Sequence, residues 1–347
     1  MFTAELLKTS FPGILGQEAV KKQVSSALMT ERHIIIVGPP GIGKTTLAKN
    51  IAKLLPAITV NDCDFNCDPK APLCPRCIHA AHSGRHATKK ISGEQRFIRI
   101  QGSPDLTAED LLGDIDPIKA LKFGPLSLEA FNPGKIFRAN NGVLFFDEVN
   151  RCPEKLQNSL LQVLEEKKAT LGSYEVDISA NFIFIGTMNP EDSSTERISD
   201  VFGDRFDFIY MGYPESVEIE KAIILAKGKK LAEVSDKLLT LIAAFIHDLR
   251  DDANLQKKPS VRASLGLYER SQSNALLSGR KKVNLEDIEE AVISVLCHRI
   301  ELKPSIKYLQ TTSAFIKTSF QKFIEAAGEK KFDFGREASS SQKGDGL

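Results

Sequence analysis

The chain has 347 residues, 42% hydrophobic and 26% charged, an ordinary globular composition that excludes global disorder. At roughly 150 residues per domain, that length predicts about two domains. Its 46 basic and 45 acidic residues leave a net charge of +1, so no chain-wide field draws it to nucleic acid or to an anionic membrane.

No apolar run approaches the roughly 18 residues that a membrane-spanning helix needs. The opening MFTAELLKTSFPG also lacks the basic region and apolar core of a secretory signal, so the expected location is cytoplasmic. Four of the six cysteines lie between Cys63 and Cys77, while Cys152 and Cys297 stand alone. Such clustering favours a metal site over a disulfide framework.

In chain order, apolar runs predict buried strands at 33–37, 97–100, 143–146 and 182–186, with a fifth at 208–211. Amphipathic helices at 45–54 and 153–166 fall between them, the alternation of a parallel sheet covered on both faces. After Pro214 the pattern turns wholly helical, at 215–227, 235–250, 261–277 and 285–300, with a further helix at 305–326. The expected organisation is an α/β domain over 1–213, with a Cys-rich insert at about 57–95 and a second insert at about 121–133. A small all-helical domain over 214–303, a C-terminal helix over 304–327 and a disordered tail over 328–347 follow, the tail being too polar to support a core.

Gly38, Pro39, Pro40, Gly41, Ile42, Gly43, Lys44 and Thr45 fit G-x-x-x-x-G-K-[ST] at every fixed position, directly after a strand and before a helix. Glycines let backbone N–H groups turn toward phosphates, the helix N-terminus adds a positive dipole end, and Lys44 reaches the β and γ phosphates. Thr45 offers a hydroxyl to Mg²⁺, and Thr46 completes the phosphate-binding run. The strand at 143–146 then ends in Asp147 and Glu148. Asp147 is the candidate Mg²⁺ holder and Glu148 the group that polarises the attacking water. Alone, an acidic strand end is a common way to finish a strand; behind a phosphate loop it carries chemistry.

These residues resemble an AAA+ ATPase, in the branch of the magnesium chelatase I subunit and the MoxR-type ATPases. The resemblance spans 11–304 and rests on FPGILGQE, GPPGIGKT, FNCDP, LLGDIDPIKAL, FNPGKIFRANNGVLFFDEVNR and GTMNPED. It implies a P-loop parallel sheet sandwiched by helices and followed by a small all-helical lid, with ATP and Mg²⁺ as ligands. Asn189 resembles the sensor that orients the hydrolytic water, against the competing reading of a turn former before Pro190. Arg205 resembles the arginine finger that reaches a neighbour's γ-phosphate, and Arg262 the second sensor on the lid; solvated or ion-paired arginines are the competing readings. Arg151 either faces the next nucleotide or serves its own chain by capping a helix or pairing with a carboxylate.

The segments 121–133 and 169–176, the second with Gly172-Ser173 as its turn, resemble the branch's helix-2 insertion and its hairpin before the first sensor; ordinary surface loops are the alternative. Cys63, Cys67, Cys74 and Cys77 fall in a variable segment of the branch, and four thiolates would close a tetrahedral structural site for Zn²⁺. His79, His82 and His86 compete for the fourth position, iron competes with zinc, and two disulfides or free thiols remain as other readings.

Arg151 and Gln157 look more like the MoxR side, whereas FNCDP looks more like the chelatase side. The resemblance therefore implies a homo-oligomeric ring, expected as a hexamer, that remodels a partner for metal insertion into a tetrapyrrole, or alternatively a MoxR-type chaperone. An integrin-type metal-binding partner would have to be a separate polypeptide. A nucleic-acid motor or clamp loader is the third reading, and the balanced charge and absence of Trp count against it.

Overall fold

The five strands predicted from apolar runs form one parallel sheet. In the computed structural model, which describes residues 11–83, 87–125, 127–171, 176–190 and 198–329, the chain divides into two units, Met1–Gly212 and Tyr213–Leu347. Across the first unit the strand order is Phe206–Tyr210, His33–Val37, Ile183–Met188, Val143–Asp147, Phe97–Gln101. Every neighbouring pair in it is parallel.

Side chains alternate between faces along a strand. Ile34 and Ile36 accordingly pack with Val24 and Leu28 of the helix Glu18–Met29 and with Leu47 and Ile51 of the helix Lys44–Leu54. Ile35 and Val37 point the other way, into a core with Leu144, Phe146, Phe184 and with Leu156 and Leu160 of the helix Glu154–Glu166. Two buried faces explain why these strands read as continuous apolar runs. The fold is an α/β sandwich.

The fifth strand begins at Phe206, two residues before the expected 208, because Phe206 pairs with His33 and is buried. The Cys-rich insert holds an antiparallel ladder of Ile58–Asn61 with Thr88–Ile91 and the helix Pro75–Ser83. The second insert starts earlier than 121. Gly113–Ile115 pairs antiparallel with Phe131–Pro133 and encloses the helix Pro117–Phe123, whose start is capped by the Asp116 carboxylate accepting from the Ile118 and Lys119 amides. Lys168–Leu171 and Val176–Ser179 form the expected antiparallel hairpin, while Gly172 and Ser173 lie outside the described residues.

In the second unit, the helices Val217–Lys227, Asp236–Asp251, Val261–Leu277 and Leu285–Leu296 share one core that includes Ile242, Phe245, Leu267 and Val292. Ser216 and Ser235 cap the first two, accepting from the Ile219 and Leu238 amides, and Asn284 with Asp287 forms a capping box on the fourth.

Four sequence expectations differ from the fold here. The unit is not wholly helical: Leu255–Lys257 pairs antiparallel with Glu301–Leu302, which also ends the fourth helix at Leu296 instead of 300. The region after 304 is two helices, Pro304–Lys307 and Thr312–Glu329. Phe315, Ile316 and Phe320 of the second join the core of the preceding helices, so this segment belongs to the helical unit. Most of the expected tail, residues 330–347, lies outside the described residues. Among the described residues, no helix is long and apolar enough to cross a membrane.

Candidate functional site

Parallel strands deliver their C-terminal ends to one edge of the sheet, and three of them deliver the candidate nucleotide site. The register sets Ile36 beside Thr187 and Val37 beside Met188, and it aligns Gly186 with Phe146, so that Thr187 lies level with Asp147. The phosphate loop therefore leaves the sheet beside the strand that leads to Asn189, and the acidic pair lies on that strand's other side.

Gly38 opens the loop, with its amide donating to the Met188 carbonyl at 3.1 Å. A Cβ at this position would meet the Met211 carbonyl oxygen at 2.1 Å, so only glycine fits. Gly43, at φ 108°, supplies the left-handed turn into the helix Lys44–Leu54. Pro39, Pro40, Gly41, Ile42, Lys44, Thr45 and Thr46 are all half-buried along this turn. The Lys44 ammonium lies over its own loop, donating to the Gly38 and Pro39 carbonyls, the latter at 2.9 Å.

The acidic pair sits in a polar net that sequence reading missed. Thr187, fully buried, donates its hydroxyl to Asp147 Oδ1 at 2.6 Å and accepts from the Glu148 amide at 2.9 Å. Arg99 Nη2 donates to the other oxygen, Asp147 Oδ2, at 2.6 Å. Gln101, paired with Asp147 in the sheet, donates to Glu148 Oε2 at 3.0 Å. Glu148 itself has φ 56°, a left-handed conformation uncommon outside glycine and asparagine, and it turns the chain off the strand. The period-2 pattern from 97 to 101 was the available signal: a strand beside an acidic one, with polar residues at alternate positions near its end.

The remaining candidates are placed as follows. Asn189 directly follows its strand, with its carbonyl 3.5 Å from Asn150 Nδ2, and both residues line an open cleft of about 630 Å³ with Ser199, Asp200 and Asp204. Arg151 Nη1 lies 3.4 Å from Glu148 Oε2, which favours the carboxylate-pairing reading over capping. Arg205 pairs with Glu165 on its own chain and donates to the Val201 carbonyl.

Arg262 belongs to the helical unit, where it is exposed on the first turn of the helix Val261–Leu277. Its surroundings are firmly held. Buried Arg250 makes a two-pronged pair with fully buried Glu220, one N–H···O at 2.7 Å, and donates through Nε to the Pro259 carbonyl at 2.8 Å. Ser264 donates to the same Glu220 carboxylate. Residues 259 and 264 thus bracket Arg262.

The cysteine cluster is a separate site. The Sγ atoms of Cys63, Cys67, Cys74 and Cys77 all lie within 4.8 Å of one another, and all four residues are buried free thiols. Both disulfide and histidine readings lose ground: no pair is bonded, and the described His79 is exposed, 3.8 Å from Glu129. His86 and the side chain of His82 lie outside the described residues. Crowding splits the thiols. Hydrogen bonds from Cys67 and Cys74 draw the Cys63 thiol down, the hydrogen bond to Cys63 pushes Cys74 up to about 12, and burial pushes Cys77 up to about 11.

Thr45 and Asp147 offer a hydroxyl and a carboxylate, hard oxygen donors that suit Mg²⁺. Four convergent sulfurs suit a soft tetrahedral ion instead. The two sets of donors are thus an oxygen pair at the sheet edge and a sulfur-lined knuckle.

Comparison with known proteins matches successive segments of the chain. A magnesium chelatase subunit ChlI family model matches residues 10–65, an AAA domain model of the dynein-related subfamily matches 83–206, and an AAA lid domain model matches 252–317. The magnesium-chelatase subunit ChlI homolog of Methanocaldococcus jannaschii is 29% identical, over 85% of this chain and 86% of its own. The magnesium-chelatase 38 kDa subunit of Acidiphilium rubrum is 26% identical, covering 85% and 91%, and the chaperone MoxR1 of Mycobacterium tuberculosis 27%, covering 83% and 73%. Models that follow one another along the chain, and relatives that run most of its length, make this chain similar to the AAA+ ATPases of the branch that holds the magnesium-chelatase I subunits and the MoxR-type ATPases.

Proposed function

We propose that this chain assembles into a cytoplasmic ring, expected as a hexamer, that binds Mg·ATP between subunits and uses its hydrolysis to remodel a separate partner protein for metal insertion into a tetrapyrrole. The observation that carries the reading is the alignment of the phosphate loop, the acidic pair and the Asn189 strand at one sheet edge. Similarity to magnesium-chelatase subunits supports the tetrapyrrole role. A MoxR-type chaperone is the second reading, supported by the likeness to MoxR1 and by the Arg151 and Gln157 pattern.

In this account Lys44 and the loop amides neutralise the phosphate oxygens, and Glu148 polarises the attacking water and takes its proton. Gln101 and Arg151 release Glu148 for that work, since both contacts are half-exposed and cost little to exchange. Asn189 orients the water. Arg205 of a neighbouring subunit and Arg262 match charge developing on the transferred phosphoryl group. Thr45 and Asp147 would hold Mg²⁺, which would neutralise phosphate charge. The cysteine tetrad would hold Zn²⁺ in a structural role, and the partner would carry any integrin-type domain.

Turnover should therefore depend on assembly. Measured against protein concentration and alongside native mass, the ATPase rate per subunit rises steeply as a ring-sized species forms. A flat rate from a monomer would overturn the shared-site reading.

A further inference from the structure

We propose that the single Zn²⁺ in the Cys63, Cys67, Cys74 and Cys77 site staples the base of the 113–138 insert to the α/β unit, so that metal occupancy sets how firmly that insert is held. The inference rests on the zinc reading given above and goes beyond it by naming what the ion holds in place.

The sulfurs are built for a cation. A tetrahedral Zn–thiolate site needs S···S separations of about 3.8 Å, and these four lie within 4.8 Å of each other. Backbone donors already face them: the Cys67 amide donates to Cys63 Sγ, and the Leu73 and Cys74 amides donate to Cys67 Sγ, each at 3.4 Å. Such N–H donors stabilise negative sulfur, which four neutral thiols would not require. Sulfurs this close surround one ion, whereas a multi-iron cluster spreads its thiolates around several metals.

The knuckle has little else to hold it. Beyond its sulfurs, residues 63–77 contribute Phe65 and the partly buried Leu73 to the apolar core. Phe65 packs on Phe137 at 5.7 Å and on Phe131 at 6.5 Å, and those two rings meet edge to face at 6.0 Å. Its neighbour Asn66 donates Nδ2 to the Arg138 carbonyl at 3.1 Å. On the following helix, His79 lies 3.8 Å from Glu129.

All these contacts land on 129–138, which carries the closing strand of the insert, Phe131–Pro133, and the short helix Lys135–Arg138 that follows it and anchors it through buried Phe137. From there Phe131–Pro133 pairs with Gly113–Ile115, and between them the helix Pro117–Phe123 presents Ile118 and Leu121 to solvent, 80% and 91% exposed. Helix 117–123 buries none of its own residues, so its position depends on the ladder at its base. Order passes from the ion to Phe65, from Phe65 to Phe131 and Phe137, and from them to the insert.

The test is hydrogen exchange on the purified full chain, as isolated and after stripping with a thiol-competent chelator, with metals quantified in each sample. The expected result is one zinc per chain, and on stripping a rise of about tenfold or more in exchange across 113–138, reversed by added zinc, while 236–251 in the helical unit stays unchanged. Phe65→Ala supplies a second reading that leaves the thiols intact. It should keep its zinc and still loosen 113–138. Iron in place of zinc, or no metal at all, overturns the zinc reading. Zinc present with 113–138 unmoved on stripping and in Phe65→Ala overturns the staple and leaves the metal site standing. A rise spread evenly over the whole α/β unit also overturns the staple, because the ion would then hold the entire fold.

Discussion

At the candidate site's edge of the sheet the paired arginines stand well into water: Arg99 is 51% exposed against Asp147 at 15%, and Arg151 38% against Glu148 at 36%. Inside the helical unit the arrangement is reversed, with Arg250 at 5% and Glu220 at 0%. Exposed pairs are worth about 0–1 kcal/mol, so they trade partners readily when a phosphate or a cation arrives. Removing one member of a buried pair costs about 3–5 kcal/mol, because the other charge is left stranded. The chain thus keeps exchangeable partners around the acidic pair, and fixed ones around the helix start that carries Arg262.

Glu220→Gln tests the fixed half most severely. It should destabilise the helical unit by about 3–5 kcal/mol in denaturant unfolding followed by exchange over 236–251. A loss under about 1 kcal/mol would erase the contrast. On the exchangeable side, Glu148→Gln should lower turnover about 100-fold or more, near 3 kcal/mol in barrier, while ATP binding persists. Equal loss of binding and turnover would contradict its assigned role.

His33 sharpens the comparison, since it lies at the opposite edge of the same sheet, where polarity is again fixed. Its Nδ1 accepts from the Phe184 amide at 3.1 Å, and burial pulls its pKa from 6.5 down to about 4. The folded state therefore resists the proton that the unfolded chain takes up near 6.5. Stability is fully present above that pH and is lost as pH falls through 4, by about 3 kcal/mol. His33→Asn keeps an acceptor without a titrating ring, and its stability curve should lose that acid slope; an unchanged slope would assign the loss elsewhere. The smallest effect belongs to Arg99→Ala, which should shift stability by less than about 1 kcal/mol. It should also lower the Mg²⁺ concentration needed for half-maximal turnover, by freeing Asp147 Oδ2, and a raised requirement would speak against exchange at that oxygen.

The strands were legible because both faces are buried, which turns 33–37 and 143–146 into continuous apolar runs. The phosphate loop was legible because its glycines are dictated by backbone geometry at Gly38 and Gly43. What escaped depends on long-range pairing. Thr187 was hidden because its role exists only once its strand lies beside Asp147, and Arg99 and Gln101 because they matter only in register with that strand. Leu255–Lys257 and Glu301–Leu302 are too short to show any period. The four cysteines were visible as a cluster, but the aromatic contacts of Phe65 with Phe131 and Phe137 join segments far apart in sequence and needed the fold to be seen.

The shared active site is tested most directly by mixing Glu148→Gln, which keeps Arg205, with Arg205→Ala, which keeps Glu148. Each variant alone should hydrolyse ATP poorly. In randomly mixed rings roughly a quarter of interfaces place an intact Glu148 opposite a neighbour's intact Arg205. The account predicts that activity returns on mixing, in about that proportion. An active Arg205→Ala variant, or a mixture as silent as its parts, would contradict it.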